Sequence, residues 1–481
     1  PTTIPIIGNI WWLVRSSRNF STLEPILREL REKYGPVITL PLGFRPAIFI
    51  SSHEVAHKAL VRNGSSLASR PPALESSKIL LSNQHTVTTA VYSPLWRVLR
   101  HNFMTLLHPS KLHHYSDGRQ WALNNLKKEL RAAAKEGRSV RVLEHLQHSV
   151  YSLMLYICFG TKLEQNRIRR IVDVQRTILS NFIRFNVLNF MPMITKILFR
   201  KLWKELMDLR RRQEKLMLPL IRARQYLKTE AIDEKEHVIG YIDSIFDLQV
   251  PGEDRKFSDG ELVSLCSEFI NAGTDTSTTA LQWVLANLVK YQNIQEKIVE
   301  EINSIVEPEE DINEENLKKM HFLKAVVLET LRRHPPGHFI LPRAAVEDTK
   351  LEGYDIPKNA ILNFTVAEMA RDPNVWEAPM EFKPERFLDD GEAVEFDLKG
   401  VKEIKMMPFG AGRRVCPAIT MAVTNIQFYV ANLMREFKWT AENGDVDLSE
   451  TQDFTIVMKK PLQAVITPRS QQCRSSSSPF F

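Results

Sequence analysis

Near its carboxyl end the chain carries a glycine-rich loop that ends on a single cysteine, immediately before an apolar run. The loop reads Phe-Gly-Ala-Gly-Arg-Arg-Val-Cys-Pro-Ala over residues 409–418. Its two glycines allow a sharp turn, and Pro417 suits the first turn of a helix. Cys416 would then lie at a helix N-terminus, where the dipole and two neighbouring arginines favour a thiolate that can ligate a metal. A cysteine taken alone is more often a small buried apolar side chain.

Length and composition favour one large globular domain. The chain has 481 residues, 43% of them hydrophobic, so a sizeable core can be buried. No Gly/Ser-rich linker or fixed-period repeat divides the sequence, and no uninterrupted apolar run reaches the ~20 residues that a bilayer requires. We therefore expect residues 1–481 to form a single domain, although length alone would allow two or three.

The charge balance is mildly basic. Lysine and arginine outnumber aspartate and glutamate by 64 to 57, a net charge of +7. The basic tract Arg210–Arg212 lies among leucines at helical spacing, so we expect no nucleic-acid binding. An anionic membrane surface or an acidic redox partner fits the charge better.

Cysteine usage argues against a multi-cysteine metal site and against a disulfide scaffold. The four cysteines, at positions 158, 266, 416 and 473, match no zinc or iron–sulfur spacing. This usage favours a reducing compartment that faces the cytosol.

The hydrophobic patterns predict a mainly helical chain with short strands. Strands are expected at residues 37–41 and 46–50, between 338 and 365, and in a final hairpin of residues 454–458 and 462–467 that turns at 459–460. An irregular stretch runs from Ser69 to Ser93 and begins with Arg-Pro-Pro at 70–72, and helices dominate residues 94–225.

Two further helices have clear end signals. The S-x-x-E pattern of Ser258–Glu261 is a capping box, and it predicts a helix of about thirty residues towards Lys290. A helix of this length would cross the whole domain. Another helix is expected from His321 to Arg333, where the proline pair 335–336 stops it.

The middle of the long helix contains the polar sequence Ala-Gly-Thr-Asp-Thr-Ser at residues 272–277. These residue types together are poor choices for a helix interior, and a side-chain hydroxyl can compete there for a backbone carbonyl. Such local disagreement with propensity often marks a functional site. The simpler interpretation, a polar surface stripe, conflicts with the apolar residues around it.

Two charge motifs are ambiguous when taken alone. Glu329 and Arg332 are three residues apart on one helix face, and an exposed pair of this kind contributes little to stability. Trp96 and Arg100 are four apart, so an indole N–H and a guanidinium converge and suit a carboxylate. A surface cation–π pair is the simpler interpretation of the second motif.

Together these motifs resemble those of the cytochrome P450 family. The cysteine loop matches the family pattern at Phe409, Gly412, Arg414 and Cys416, and Ala418 stands where the family most often has glycine. The order along the chain is also that of the family: Trp96 and Arg100, Asp275 and Thr276, Glu329 and Arg332, Arg386, then Cys416. The resemblance covers essentially the whole chain and is to plant-type microsomal members.

The resemblance implies a mainly α-helical fold with a smaller β-rich lobe. Haem would lie between the long central helix and the helix that follows the cysteine loop. The β-rich lobe would come mainly from residues 30–65, 338–390 and 453–468, and the α-rich lobe from the remainder.

The resemblance also implies haem b as cofactor, with the Cys416 thiolate as the axial iron ligand. Thr276 and Asp275 would deliver protons, and Glu329, Arg332 and Arg386 would form a buried network that supports the cysteine loop. The implied cofactor-binding residues are Trp96, Arg100, Ala272, Gly273, Arg343, Pro408, Phe409, Gly410, Arg414, Cys416 and Ala418, of which Trp96, Arg100, Arg343 and Arg414 would bind the haem propionates.

The implied reaction inserts one atom of O2 into a lipophilic small molecule. Electrons would come from NADPH through a separate cytochrome reductase, since no dinucleotide-binding fingerprint occurs in a strand–turn–helix context. We expect a monomer on the cytosolic face of the endoplasmic reticulum membrane. Residues 1–9, Pro-Thr-Thr-Ile-Pro-Ile-Ile-Gly-Asn, resemble the proline-rich hinge that follows a membrane anchor, and we expect such an anchor upstream.

Two other functions stay open at this point. A haem-thiolate isomerase or dehydratase would rearrange a peroxide without O2 or a reductase, and a haem carrier or gas sensor would not catalyse. Relatives of the first kind typically lack the acid–alcohol pair, so the presence of Asp275 and Thr276 argues against them. The same intact pair argues against the carrier or sensor.

The apolar segment from Phe185 to Trp203 has two interpretations. It is either ordinary helix core or a lid that closes a substrate channel and dips into a membrane. Residues 71–93, 180–200, 269–273 and 337–341, together with the hairpin near Val457 and Met458, are expected to line a mostly apolar substrate pocket.

Overall fold

The computed structural model describes residue 9 and residues 23–42, 45–182, 184–189, 191–230, 238–389, 391 and 396–469. The predicted hinge at residues 1–9 lies outside these residues except for Asn9, and so does Cys473. Within the described ranges, none of the helices combines the length and the hydropathy that are required to cross a bilayer.

Helices form most of the described structure. The α-helices are α1 (Leu23–Tyr34), α2 (His53–His57), α3 (Glu75–Leu80), α4 (Pro94–Leu106), α5 (Ser116–Lys135), α6 (Val142–Phe159), α7 (Gln165–Asn181), α8 (Pro192–Leu198), α9 (Arg200–Thr229), α10 (Tyr241–Ile245), α11 (Asp259–Lys290), α12 (Gln292–Ile305), α13 (Glu314–Lys319), α14 (His321–Arg333), α15 (Val366–Ala370) and α16 (Ile419–Glu436). A π-helix, Lys58–Arg62, continues α2, and short 3₁₀ turns occur at Pro109–Tyr115, Arg184–Asn189, Pro384–Phe387 and Gly412–Arg414.

The strands form a smaller part of the molecule. They are β1 (Val37–Leu42), β2 (Arg45–Ile50), β3 (Val140–Arg141), β4 (Gln249–Val250), β5 (Arg255–Lys256), β6 (Arg343–Ala344), β7 (Thr349–Leu351), β8 (Tyr354–Ile356), β9 (Ile361–Phe364), β10 (Phe437–Ala441), β11 (Glu450–Gln452), β12 (Ile456–Met458) and β13 (Gln463–Pro468). The main sheet has the order β1-β2-β9-β6, in which only the β2–β9 pair is parallel. The predicted fold class, mainly helical with a smaller β-rich part, is confirmed.

Local signals located several elements correctly. The predicted strands at 37–41 and 46–50 are β1 and β2, with Val37 opposite Ile50. The capping box is present, because Ser258 accepts the backbone N–H of Glu261 while the Glu261 carboxylate accepts that of Ser258. The stretch from Ser69 to Ser93, predicted to be irregular, contains the short helix α3.

The predicted hairpin of residues 454–458 and 462–467 is wrong in its pairing. Both segments contain strands, but β12 pairs with β11, and β13 pairs with β10 and β3. The Lys459 N–H extends the β11–β12 pair by donating to the Ser449 carbonyl at 2.9 Å. Pro461 has no N–H to offer a ladder between β12 and β13, so the chain leaves one sheet and enters the other.

The cysteine loop lies between two apolar cores. Helix α11 runs through the larger core and packs against α6, α9, α14 and α16. A second core surrounds the main sheet. Phe409 and Ala418 pack against the larger core, whereas Met407 and Ala411 belong to the core at the sheet. The fold therefore fixes the loop from both sides.

Candidate active site

The cysteine loop is closed by its own backbone. The Gly410 N–H donates to the Met407 carbonyl at 2.9 Å, and the Cys416 N–H donates to the Phe409 carbonyl at 2.9 Å. Gly410 has φ +69°, a left-handed conformation that a glycine adopts without strain. Pro408 lies inside this turn, between the residues that accept the two hydrogen bonds.

Gly412 is required for a close approach between the loop and the π-helix. It also has φ +69°, and a Cβ added there would lie 1.8 Å from the Leu60 carbonyl oxygen. Only a residue without a side chain can occupy this position, because the neighbouring atom belongs to another backbone.

Cys416 lies just before α16, at the N-terminal end of this helix. The helix begins at Ile419, and its N-cap is Ala418. The Ala418 N–H is directed at the Cys416 Sγ at 3.4 Å. This bond places a backbone donor on the sulfur, as ligation through a thiolate requires.

The charge that acts on the sulfur comes from Arg100 and not from its neighbours in sequence. Burial raises the pKa of the Cys416 thiol above its ordinary value, and the Ala418 N–H and the charge of Arg100 oppose the rise. Arg413 is stacked over the Tyr92 ring at 5.7 Å. Of the influences that the sequence suggested, a backbone N–H at the start of the helix does act on the sulfur, whereas the charge comes from Arg100 and not from Arg413 or Arg414.

A cluster of arginines lies beside the loop. Arg414 is stacked over the Trp96 ring at 4.8 Å, and Arg100 donates to the carbonyl of Val415. Burial and the charges of Arg414 and Arg100 lower the pKa of Arg343 to about 9. Burial, together with repulsion from Arg100, lowers the pKa of Arg414 to about 10.

These cations lack an ion-pair partner among the described residues. In the described part of the chain no carboxylate forms an ion pair with Arg100, Arg343 or Arg414, and Nη1 of Arg343 is buried without a hydrogen-bond partner. A group of buried guanidiniums with an orphaned N–H fits a ligand that carries carboxylates.

Arg70 completes the cluster, and the sequence analysis missed it. Its guanidinium donates from Nη1 to the carbonyls of Leu341 and Pro342 at 2.7 Å each, and from Nε to the Thr88 carbonyl at 2.7 Å. The arginine of the Arg-Pro-Pro sequence at 70–72 was the available signal, although nothing in it indicated these distant partners.

The middle of α11 presents Ala272 and Thr276 on one exposed face, although most of this helix is buried. Open space therefore borders the helix at this point. The Thr276 Oγ1 donates to the Ala272 carbonyl at 2.7 Å, which is the competition for a backbone carbonyl that the sequence indicated. Gly273 faces elsewhere, since a Cβ there would lie 2.2 Å from Cε of Met154 on α6. It permits the close packing of these two helices.

Asp275 is tied to the strand β12 region. It accepts a hydrogen bond from the Thr455 Oγ1 at 3.4 Å, and Thr455 in turn shares a 2.8 Å bond with the Thr279 hydroxyl. Burial, reinforced by the charge of Asp453, raises the pKa of Asp275 to about 6. The structure thus gives Asp275 and Thr276 separate hydrogen-bond partners among the described residues.

Glu329, Arg332 and Arg386 come together as the resemblance implied. The Glu329 carboxylate accepts two bonds from Arg332, at 2.7 and 2.8 Å, and lies 3.4 Å from Nε of Arg386. The side chains of Glu329 and Arg332 have 0% exposure. Arg332 also stacks on Trp376 at 5.3 Å, and Trp376 donates to the carbonyl of Lys405, shortly before the cysteine loop.

The described residues contain no group of three or more His, Cys, Asp and Glu side chains that could hold a metal ion.

Comparison with known proteins identifies the family. The sequence model of the family described as Cytochrome P450 matches residues 1–467. The chain belongs to the cytochrome P450 family. Among its relatives, Cytochrome P450 89A9 of Arabidopsis thaliana is 44% identical over 483 residues, which cover 98% of this chain and 93% of that protein. Tabersonine 16-hydroxylase 1 of Catharanthus roseus is 29% identical over 491 residues, with 100% and 92% covered.

Solved P450 structures share the fold. Two zebrafish cytochrome P450 structures, one with abiraterone and one with progesterone, match with TM-scores of 0.76 and 0.78 at 21% identity. The matches cover 93% of this chain and 100% and 99% of those chains. At this identity the likeness concerns the fold alone.

Membership makes this P450 a haem-thiolate monooxygenase in general terms, and it implies haem with a cysteine ligand together with O2 and reducing electrons. The residues present fit haem. The Arg343 Nη1, which is buried without a hydrogen-bond partner, suits a propionate, and so do Arg100 and Arg414, which form no ion pair with a described carboxylate. The exposed face of Ala272 and Thr276 supplies open space beside α11.

Proposed function

We propose that this P450 inserts one atom of O2 into a lipophilic small molecule with NADPH-derived electrons from a separate reductase. The observation that carries the proposal is Cys416, whose sulfur accepts the Ala418 N–H beside arginines that form no ion pair with any described carboxylate. The expected pocket lining is mostly apolar, which favours a lipophilic substrate.

The residues that we propose to hold haem are those that the resemblance implied. Cys416 would be the axial ligand, and Trp96, Arg100, Arg343 and Arg414 would bind the propionates. The other expected contacts are Ala272, Pro408, Phe409, Gly410 and Ala418. Gly273 was also expected to contact haem, but its Cα faces Met154, so only its backbone could do so. When bound, haem with a thiolate ligand supplies the activation of dioxygen, for which the protein provides orientation and a dry pocket.

The protein's own contribution to proton supply would come from Asp275 and Thr276. A carboxyl with a pKa of about 6 can hold a proton or release it near neutral pH. The Thr276 hydroxyl is anchored on the Ala272 carbonyl and keeps its oxygen at the open face of α11. This arrangement supports a monooxygenase over the isomerase and the sensor, which have no need of proton delivery.

The decisive test is the carbon monoxide adduct of the reduced holoprotein. We expect the red-shifted absorption that a thiolate ligand imposes, and Cys416→His should move it to the position of a histidine-ligated globin. Cys266→Ala, at a buried cysteine of α11, serves as the control and should leave the spectrum unchanged. A globin-like adduct from the wild-type protein would refute the proposal.

Removing the Thr276 hydroxyl is expected to uncouple the enzyme. In Thr276→Ala, NADPH oxidation should continue while product per NADPH falls by about 10- to 100-fold and peroxide release rises. Thr274→Ala is a matched control, because Thr274 also donates to the carbonyl four residues earlier, at 2.7 Å, but is buried. Equal coupling in wild type and Thr276→Ala would remove Thr276 from the mechanism.

Segment 185–203 has buried side chains, as expected for helix core, and exposed apolar side chains, as expected for a lid that dips into a membrane. Phe185, Leu188 and Trp203 are buried in a small core of their own, whereas Met193, Ile197 and Leu198 are 85%, 79% and 70% exposed. Phe190 lies outside the described residues. We propose that the exposed side chains of α8 rest in the membrane at the cytosolic face of the endoplasmic reticulum.

Replacing these three residues of α8 with glutamine is expected to lower partition onto phospholipid vesicles by about 100-fold or more, because each buried apolar side chain contributes ~1.5–3 kcal/mol. Cosedimentation with vesicles measures the change. The exposed residues Met380 and Val401 provide a control pair, whose substitution by glutamine should leave binding unchanged. Undiminished binding of the α8 variant would exclude α8 as the contact.

A basic surface near the cysteine loop suits an acidic electron donor. Arg97 and Arg413 both stack on Tyr92, at 5.4 and 5.7 Å. With His101 they border a hollow of about 460 Å³ that also reaches Trp96. We propose this surface as the docking site of the reductase, since complementary charge steers such encounters.

A further inference from the structure

A half-buried glutamate on α11, Glu268, has no place in the function proposed so far. Glu268 lies one helical turn before Ala272, which puts it on the same face of the helix. In the described part of the chain Glu268 forms no ion pair. Its two oxygens instead accept backbone N–H groups, Oε2 from Val87 at 2.9 Å and Oε1 from Thr88 at 2.6 Å. A carboxyl that is committed to two amides of a loop acts as a clamp on that loop.

The clamped loop, residues 82–90, runs along the amino-terminal half of α11. Ser82 donates to the Gly260 carbonyl at 3.0 Å and shares a 2.8 Å bond with the Ser264 hydroxyl. With Glu268, these helix positions repeat every four residues and so form one face. The loop is therefore fixed to the face of α11 that continues to Ala272 and Thr276.

The opposite edge of the same loop holds the arginine cluster. The Thr88 carbonyl accepts from Nε of Arg70 at 2.7 Å. The carbonyls of Val87 and Ala90 accept from Nη1 and Nη2 of Arg414, at 3.3 and 2.5 Å. The N–H groups of the loop thus donate to Glu268, and its carbonyls accept from the guanidiniums of Arg70 and Arg414.

The charge of Glu268 also favours this arrangement of the loop and the two arginines. Burial and repulsion from neighbouring arginines lower the pKa of Arg70 and Arg414, and in both cases the charge of Glu268 opposes this effect. Burial raises the pKa of Glu268 itself, and the bonds from Thr88 and Val87 oppose the rise. The carboxyl and the two guanidiniums therefore stabilise one another through the loop that separates them.

We propose that Glu268 is a positioning residue that, through residues 87–90, orients Arg414 and Arg70 towards the carboxylates of the bound cofactor. The inference rests on the proposed function, because it takes haem as the ligand of the arginine cluster. Buried cations that repel one another keep a useful orientation only if the surrounding backbone is fixed. Glu268 supplies that fixation from the opposite side of the site.

Glu268→Gln tests the inference, because it keeps the shape of the side chain. It replaces one carboxylate oxygen by an NH2 group, which cannot accept the backbone N–H that this oxygen accepts. We expect amide hydrogen exchange in residues 82–92 to become about 10-fold faster or more, and haem transfer to apomyoglobin to accelerate by a similar factor. Asp259→Asn makes the same charge change on α11 at an exposed pair with Arg222, and it should alter neither rate. Wild-type exchange in Glu268→Gln would overturn the proposal.

Haem dimethyl ester separates this role from a general effect on folding. In the wild-type protein the ester should be lost much faster than haem, because it offers the arginines no carboxylate. In Glu268→Gln the ratio of ester loss to haem loss should shrink several-fold, and an unchanged ratio of these two rates would contradict the proposal. Failure of the proposed function would appear separately, as a globin-like carbon monoxide adduct of the wild type.

A second variant covers the case in which Glu268→Gln does not accumulate as holoprotein. Glu268→Asp keeps the charge but withdraws the oxygens by one carbon, so they no longer reach both amides. It should show the same faster exchange at Val87 and Thr88. Wild-type protection of these two amides in Glu268→Asp would contradict the clamp.

Discussion

Glu329→Gln is expected to yield a protein that does not retain haem. The Glu329 carboxylate has 0% exposure and neutralises Arg332 and Arg386 inside the protein. Glutamine would leave two buried guanidiniums facing a neutral amide, at a cost of about 3–5 kcal/mol. That is a large share of the ~5–15 kcal/mol by which a domain is stable. Haem content per protein and the midpoint of thermal unfolding measure the loss.

The effect should depend on burial and not on the Glu-x-x-Arg spacing. Asp208 and Arg211 form an acid–arginine pair of the same spacing on α9, and both side chains are largely exposed. Asp208→Asn should therefore leave haem content and unfolding midpoint at wild-type values, since exposed pairs contribute little. Normal holoprotein from Glu329→Gln would show that the buried network is dispensable.

What the sequence could predict was local. The bounds of α14 and the capping box of α11 depend on residues within one or two turns, so the pattern of Ser258–Glu261 was sufficient. Glu329 and Arg332 are likewise one turn apart. Arg386 was found only through the family's order of motifs, because no local signal pairs it with a helix that ends more than fifty residues earlier.

The features that the sequence could not predict depend on contacts with backbone that is far away in the chain. The hairpin prediction failed because strand propensity does not indicate which strand a segment will pair with. Strand β13 pairs with β10, although β11 and β12 of another sheet lie between them in the sequence. No local pattern singles out Glu268, since its partners are backbone amides of Val87 and Thr88 in a distant loop. The charge of Arg100 on Cys416 was missed for the same reason, because the two residues lie more than three hundred positions apart in the chain.

Gly412→Ala is expected to be as damaging as the loss of Glu329. Its Cβ would lie 1.8 Å from the Leu60 oxygen and 2.6 Å from the Leu60 carbonyl carbon. Those atoms belong to the π-helix Lys58–Arg62, whose backbone cannot rotate away as a side chain could. Either the helix or the cysteine loop must move, so we expect destabilisation of more than about 4 kcal/mol and little bound haem.

Gly410→Ala isolates the clash from the strain of left-handed backbone. Gly410 has the same φ of +69°, but its added Cβ would find only Ile340 Cγ2, at 3.8 Å. Alanine at Gly410 should therefore cost only the ~1–2 kcal/mol of the left-handed conformation. Chemical denaturation of both apoproteins, with haem content measured in parallel, compares the two substitutions. If they destabilised the protein equally, the contact with Leu60 would not be what requires glycine in this loop, and the backbone conformation alone would explain both positions.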